Sequence, residues 1–294
     1  MDFQSPGAKR FATSREPQPI EKVDIYGRRY LRASDATYAL PKDLEDIPRL
    51  DFQHFLLKQV MQRNYQAPLS EHTRSMLDLG CGTGRWCVEM AQAFPHAQVL
   101  GIDLEEIQPF VKTRPANYRF QQVDILKPLP FASNTFDYLH QRLMLMSIPL
   151  DAWSDVLQEI VRVAQVGAWI ELVEVGCTIW PLGPATRLYH SWLRAIGTGL
   201  HQDFDLPPRL AQFAAEAGMH QVQAFPYDIP LGWGGQVGTA SLTNLRGFYR
   251  AIRPLLVNAL HLAPASVDAT WIQLAQEWRD MQAHIRYFVI CGQK

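Results

Sequence analysis

Residues 77–84 read LDLGCGTG, an apolar strand end followed by Gly80, Gly82 and Gly84 at alternate positions. Glycine adopts φ > 0 freely and leaves room for another group to approach the backbone. A bare strand–helix turn rarely needs more than one such residue. The stretch after the cluster, Trp86–Phe94, has helical spacing. The cluster is therefore expected at the C-terminal end of a strand, facing a helix N-terminus. In an open parallel sheet ligands bind there, against the free N–H groups of the following helix.

The pattern continues outward from this loop. Strands are expected at 75–79, 98–104, 118–125, 136–142 and 168–175, with a helix over 152–165. Strands alternating with helices at this spacing predict parallel βαβ units and a doubly wound α/β sheet. Beyond residue 176 the spacing predicts helices at 184–200 and 207–219 and a strand at 221–232. Two more helices follow at 237–260 and 265–282, and a last strand at 284–294. Upstream, Leu50, Phe52, Phe55, Leu56, Val60 and Met61 share a helical face. The expected organisation is a flexible arm over 1–22, a helical lid over 23–72 and a core over 73–294. Helical cap insertions are expected at about 177–217 and 236–283 of that core.

Composition narrows the class. The chain has 294 residues, is 47% hydrophobic and carries a formal net charge of −1, which fits a globular domain with a sizeable core. Neither sign of charge dominates, which argues against nucleic acid as a partner. No apolar run reaches the roughly 18–20 residues a membrane span needs, and the N-terminus lacks the apolar stretch of a secretory signal. Cys81, Cys87, Cys177 and Cys291 are scattered, without the clustering a zinc site wants. The expectation is a cytoplasmic protein with free thiols and no bound metal, acting as a monomer or homodimer.

Asp103 closes the second strand of the parallel core, 19 residues past Gly84. A carboxylate at about that distance is placed to accept hydrogen bonds from ribose hydroxyls. A dinucleotide would carry G-x-G-x-x-G, whereas here the order is G-x-G-x-G with Arg85 in the sixth position. The residues alone leave both a nucleoside-bearing cofactor and a dinucleotide open.

SMLDLGCGTGRW, VLGIDL and FQQVDILKPLPFASNTFDYLHQR together resemble the successive motifs of class I S-adenosylmethionine-dependent methyltransferases. GRRY (27–30), YALPKDLEDIPRLDFQH (38–54) and the helical pair before the last strand are similar to the LaeA-like, or UMTA-type, group. That group is associated with secondary metabolism and natural-product biosynthesis, and it includes a regulator with no assigned acceptor. The chain departs from the group's pattern at Tyr26 and Leu31, which flank GRRY, and in LPKD.

The resemblance implies a Rossmann-like seven-stranded sheet whose last strand is antiparallel. It implies that Gly80, Gly82 and Gly84 pass under the methionine part of S-adenosylmethionine and that Asp103 meets the ribose. Asp124 and Ile125 are expected beside the adenine, and Asp78 beneath the loop or at the amino group. Cys81, Leu104 and His140 complete the expected cofactor-binding set.

The expected activity is methyl transfer to a small aromatic or heteroaromatic acceptor. The alternatives are a silent cofactor-binding regulator and an NAD(P)-dependent oxidoreductase. For the proton, the candidates are His140 after the fourth strand, His190 and His201 in and after the first post-sheet helix, and Tyr26 and Tyr30 in the lid. Glu174, ending the fifth strand, is expected to face the same region. The many tryptophans past residue 175 suggest either a flat aromatic pocket or a packed helical cap.

Overall fold

The computed structural model describes residues 47–107 and 114–294, together with the backbone of three short strands, β1 (Glu21–Ile25), β2 (Arg28–Ala33) and β3 (Ala36–Thr37). These three form an antiparallel sheet of their own, in the order β1-β2-β3. The expected helical character of 23–72 is corrected here: the chain is extended over 21–25, 28–33 and 36–37. The described helix of this segment is α1 (Ile47–Met61). Of the expected arm, residues 1–20 lie outside the described residues and the last two open β1.

The core alternates as expected. The chain runs through β4 (Ser75–Leu79), α2 (Arg85–Ala93), β5 (Gln98–Asp103), β6 (Tyr118–Gln122), β7 (Phe136–Arg142), α3 (Trp153–Val163) and β8 (Ala164–Glu174). A two-residue β9 (Ile179–Trp180) follows, then α4 (Pro184–Gly199), α5 (Leu210–Glu216) and β10 (His220–Pro230). The chain ends with α6 (Gly235–Asn258), α7 (Pro264–Asp280) and β11 (His284–Gln293). The strand order is β10-β11-β8-β7-β4-β5-β6, with β9 pairing on β11. β4 to β8 pair parallel with one another, and β11 is antiparallel to both β8 and β10. This is the seven-stranded order with an antiparallel last strand, extended by β9.

The apolar pattern dictates this layering. Every residue of β5 after Gln98 is buried, as a strand covered on both faces requires. On α3, Trp153, Val156, Leu157, Ile160 and Val163 recur at helical spacing and are the buried face. Strand β6 stops at Gln122, so Asp124 and Ile125 stand in the loop beyond it. Strand β8 starts at Ala164, earlier than 168, because α3 ends at Val163.

Of the expected cap, α5 packs on α3 and β10 and covers the sheet, whereas α4, α6 and α7 pack together, with α6 also against α1. The Trp278 indole donates to Thr186 Oγ1 at 2.8 Å, and the Glu277 carboxylate accepts from the N–H groups of Ala185 and Thr186. Rings of Tyr189, Tyr249, Trp271 and Trp278 meet between the cap helices at centroid distances of 5.2–6.3 Å. Among the described residues no helix is long and apolar enough to cross a membrane.

Candidate functional site

Strand β4 pairs with β5 on one side and β7 on the other, so the strand order reverses there. The register sets Asp78 beside Gly101 on β5 and beside His140 on β7. A cavity opens at this reversal and holds about 1730 Å³ of empty space, its open mouth included. The sheet lies below it, α1 to one side, and α4 and α6 above.

Asp78, Gly80, Cys81, Gly82, Asp103, Leu104, Asp124, Ile125 and His140 all line this cavity. Gly80 and Cys81 donate their N–H groups to Ile102 O at 2.8 and 3.0 Å, which ties the loop to β5. Buried Asp103 accepts from Gly82 N–H through Oδ2 at 2.9 Å and from Leu104 N–H through Oδ1 at 2.7 Å. Asp124 Oδ1 accepts from Leu126 N–H at 3.0 Å and shapes the turn after β6.

His140 and Asp78 form a buried pair. Nδ1 of His140 donates to Asp78 Oδ1 at 2.8 Å, while the Cys87 thiol donates to Asp78 Oδ2 at 3.2 Å. The imidazole stacks on the Trp86 indole, 4.1 Å between ring centres and 3° from parallel. With Nδ1 committed to the carboxylate, Nε2 of the neutral ring is an acceptor.

The other expected residues are placed elsewhere. Gly84 is not in the cavity wall: it sits at φ +70° at the N-terminus of α2, and a Cβ there would collide with the Tyr118 hydroxyl. His190 is buried behind the cavity wall, and burial lowers its pKa to about 4. Its neighbours Tyr189 and Leu193 face the cavity instead, because successive helical residues point about 100° apart. His201, at φ +56° after α4, lines a separate shallow depression with Asp203 and Asp205. Tyr26 lies outside the described residues, and Tyr30 is placed only by the backbone of β2, opposite Val23. None of the late tryptophans lines the cavity: Trp271 and Trp278 pack between the cap helices, and Trp180 and Trp233 stand against His284. The cavity's aromatic lining is Trp86, Tyr189, Phe204, Phe248 and Tyr287.

Several residues missed in the sequence build the walls. From α1, Asp51 accepts from the Thr83 hydroxyl at 2.7 Å and from Arg85 at 2.9 Å, clamping the helix to the glycine loop. His54, also on α1, meets Arg142 through Nδ1 at 3.1 Å and Glu89 of α2 through Nε2 at 3.2 Å. Arg142 shares a face of β7 with His140, an alternation that FDYLHQR itself carries. Glu174, expected from the sequence to face this region, does line the cavity; it is fully buried and accepts from Met144 N–H at 2.7 Å and Leu145 N–H at 3.3 Å. Desolvation pushes its carboxyl up to about 8 in spite of those donors.

These residues fit an S-adenosylmethionine site. A Cβ on Gly82 would find only Leu50, 4.0 Å away, so the loop is open towards the cavity. Asp103 lies in the cavity wall, where a strand-end carboxylate can accept from ribose hydroxyls, and Val123, Ile125 and Leu126 offer an apolar face for a flat ring.

Residues 76–167 match the methyltransferase domain family. The chain is 30% identical over 70% of its length to methyltransferase pytC of Aspergillus terreus, covering 65% of that protein. It is 33% identical over 62% of its length to the secondary metabolism regulator laeA of Aspergillus flavus, covering 49% of it. The chain thus spans about half to two thirds of these curated relatives. A S-adenosylmethionine-dependent methyltransferase from Archaeoglobus fulgidus shares the fold, with a TM-score of 0.51 at 14% identity over 86% of this chain and 100% of that one. Domain match and relatives agree that residues 76–167 form a methyltransferase domain, and the fold is one that a S-adenosylmethionine-dependent methyltransferase also adopts.

Proposed function

We propose that the protein transfers a methyl group from S-adenosylmethionine to a small, largely apolar acceptor of natural-product type, aromatic or heteroaromatic. The observation that carries this reading is the continuity of one cavity. The wall that fits the cofactor, from the glycine loop to Ile125, runs without a break into a compartment lined by Leu193, Phe204, Leu245, Phe248 and Tyr287.

Gly80, Gly82, Asp103 and Ile125 would hold the cofactor, which when bound supplies an electrophilic methyl on a sulfonium. The chain's own work is positioning, which contributes as much as about 7–11 kcal/mol in well-oriented reactions. The cap helices exclude water from the acceptor side. Where the acceptor must lose a proton, His140 is the described candidate that faces the cavity. Asp78 fixes its tautomer, Trp86 fixes its plane, and Nε2 is the atom that takes the proton. The expected monomeric or homodimeric state and cytoplasmic location remain part of this proposal.

Calorimetry with S-adenosylhomocysteine tests the cofactor, and consumption of S-adenosylmethionine with a panel of phenolic and heteroaromatic acceptors tests transfer. Binding followed by acceptor-dependent turnover supports the reading; absence of binding overturns it. A second reading, a cofactor-binding regulator, is favoured by the similarity to laeA. Binding without turnover on any acceptor would select it.

A further inference from the structure

The roof of the acceptor compartment is almost wholly apolar, with Leu193 from α4 and Leu245 and Phe248 from α6. Two polar side chains interrupt it. Tyr189 is 1% exposed and Asn244 is 4% exposed, yet both line the cavity. Among the described residues, neither the Tyr189 hydroxyl nor Asn244 Oδ1 has a hydrogen-bond partner.

A buried oxygen left unpaired costs about 1–3 kcal/mol, and native chains keep few of them. Structural need does not explain these two. Buried Thr186, on the same helix as Tyr189, is fully engaged with Glu277 and Trp278. The Tyr189 ring is held by Tyr249 and Trp278, packing that phenylalanine would serve equally well. At position 244 leucine would fill the same apolar surroundings without the cost. Both oxygens are occluded in the unliganded chain, so a small rotation of either side chain would let them pair with a group that enters the cavity.

The chemistry of that partner can be read from the roof. No charged side chain of α4 or α6 lines the cavity among the described residues. Burial holds the Tyr189 phenol in its neutral form. An amide oxygen accepts, and a phenol both donates and accepts, so together they suit an uncharged hydroxyl.

We propose that Tyr189 and Asn244 form the recognition point for an uncharged hydroxyl on an otherwise apolar acceptor, and so set acceptor specificity. This rests on the methyl-transfer reading above.

Three naphthalenes of matched shape test it by titration against the protein loaded with S-adenosylhomocysteine. 2-Naphthol carries the neutral hydroxyl, 2-methylnaphthalene lacks it, and 2-naphthoate is anionic. The intact protein should bind 2-naphthol about tenfold or more tightly than 2-methylnaphthalene, and more tightly than 2-naphthoate. Tyr189→Phe and Asn244→Leu should each bring the naphthol preference down to about twofold or less. Both variants remove an unpaired polar atom, so each should melt at or above the parent temperature in the unliganded state. A preserved preference in both variants overturns the proposal. So do equal affinities for 2-naphthol and 2-methylnaphthalene in the parent, tightest binding of 2-naphthoate, or binding of none of the three. A parallel S-adenosylhomocysteine titration reports on the cofactor site separately: its failure counts against the methyl-transfer reading rather than against this one.

Discussion

The loop glycines 80, 82 and 84 all lie at φ between +54° and +70°, but a side chain at each would meet something different. At Gly80 a Cβ would run into the flexible Met144 side chain, at Gly84 into the Tyr118 hydroxyl, and at Gly82 into open cavity. Gly84→Ala should therefore act on folding, combining left-handed strain with overpacking for a loss of about 2–4 kcal/mol. Gly82→Ala should cost about 1–2 kcal/mol of stability from strain alone and lose cofactor affinity besides. Denaturant melts beside calorimetry of both variants check this division; equal affinity losses in both would refute it. Glu174 yields a pH prediction. Its unfolded value is near 4.5 and burial raises the folded one to about 8, so within that window the folded chain holds a proton that the unfolded chain has released. Stability must then fall as pH rises from about 5 to about 8, by on the order of 3 kcal/mol. Glu174→Gln should flatten that slope in urea melts taken across the range. Gly82 and Asp103, singled out from the sequence, line one cavity because a positive-φ turn and a strand-end carboxylate both leave a local pattern. Asn244 left no such mark, since a single amide in an apolar helical face has no local pattern.

At the scale of elements, α1 shows where sequence patterning stopped. A helix there is legible, but its expected apolar face is only partly the buried one. Leu56 and Met61 are buried, whereas Phe52 and Phe55 are exposed and Asp51 and His54 are buried instead. The helical character expected from residue 23 gives way to strands. The segments EKVDI and RRYLRA are separated by the two residues Tyr26 and Gly27, the spacing of a hairpin, and they pair antiparallel. Dense charge in RRYLRA masked the alternation that marks a strand. The function of α1 was equally hidden, because its contacts are all with residues distant in the chain. Asp51 reaches Thr83 and Arg85, and His54 joins Arg142 of β7 to Glu89 of α2. The glycine loop, α2 and β7 are held to one helix beside the cavity. Asp51→Ala should strand the Arg85 charge and loosen α1. We expect S-adenosylhomocysteine affinity to fall about tenfold through faster dissociation, at a stability loss of about 1–3 kcal/mol. Stopped-flow dissociation is the measurement. An unchanged off-rate would mean that α1 covers the site without gating it.

For the whole molecule, the parallel sheet was readable because each βαβ unit is a local pattern repeated. The cavity was only half readable, because its upper wall arises from insertions that the sheet tolerates rather than requires. That construction has a consequence for dynamics. The lower wall is formed by strand ends tied to the central sheet, whereas α4, α6 and α7 hold mainly to one another and to α1. A ligand confined to the lower wall stabilises what it touches, and one that spans both walls couples the cap to the sheet. Hydrogen exchange should therefore respond in two steps. S-Adenosylhomocysteine alone should protect amides of residues 78–87, 102–105 and α1. Addition of an acceptor that occupies the upper compartment should extend protection to the segments around Tyr189 and Asn244 on α4 and α6. Such openings are subglobal, so the core strands β4, β5 and β7 should exchange at the same slow rate throughout. If S-adenosylhomocysteine alone protected α4 and α6 fully, the cap would close on the cofactor, and acceptor choice would have to be made before closure rather than by it.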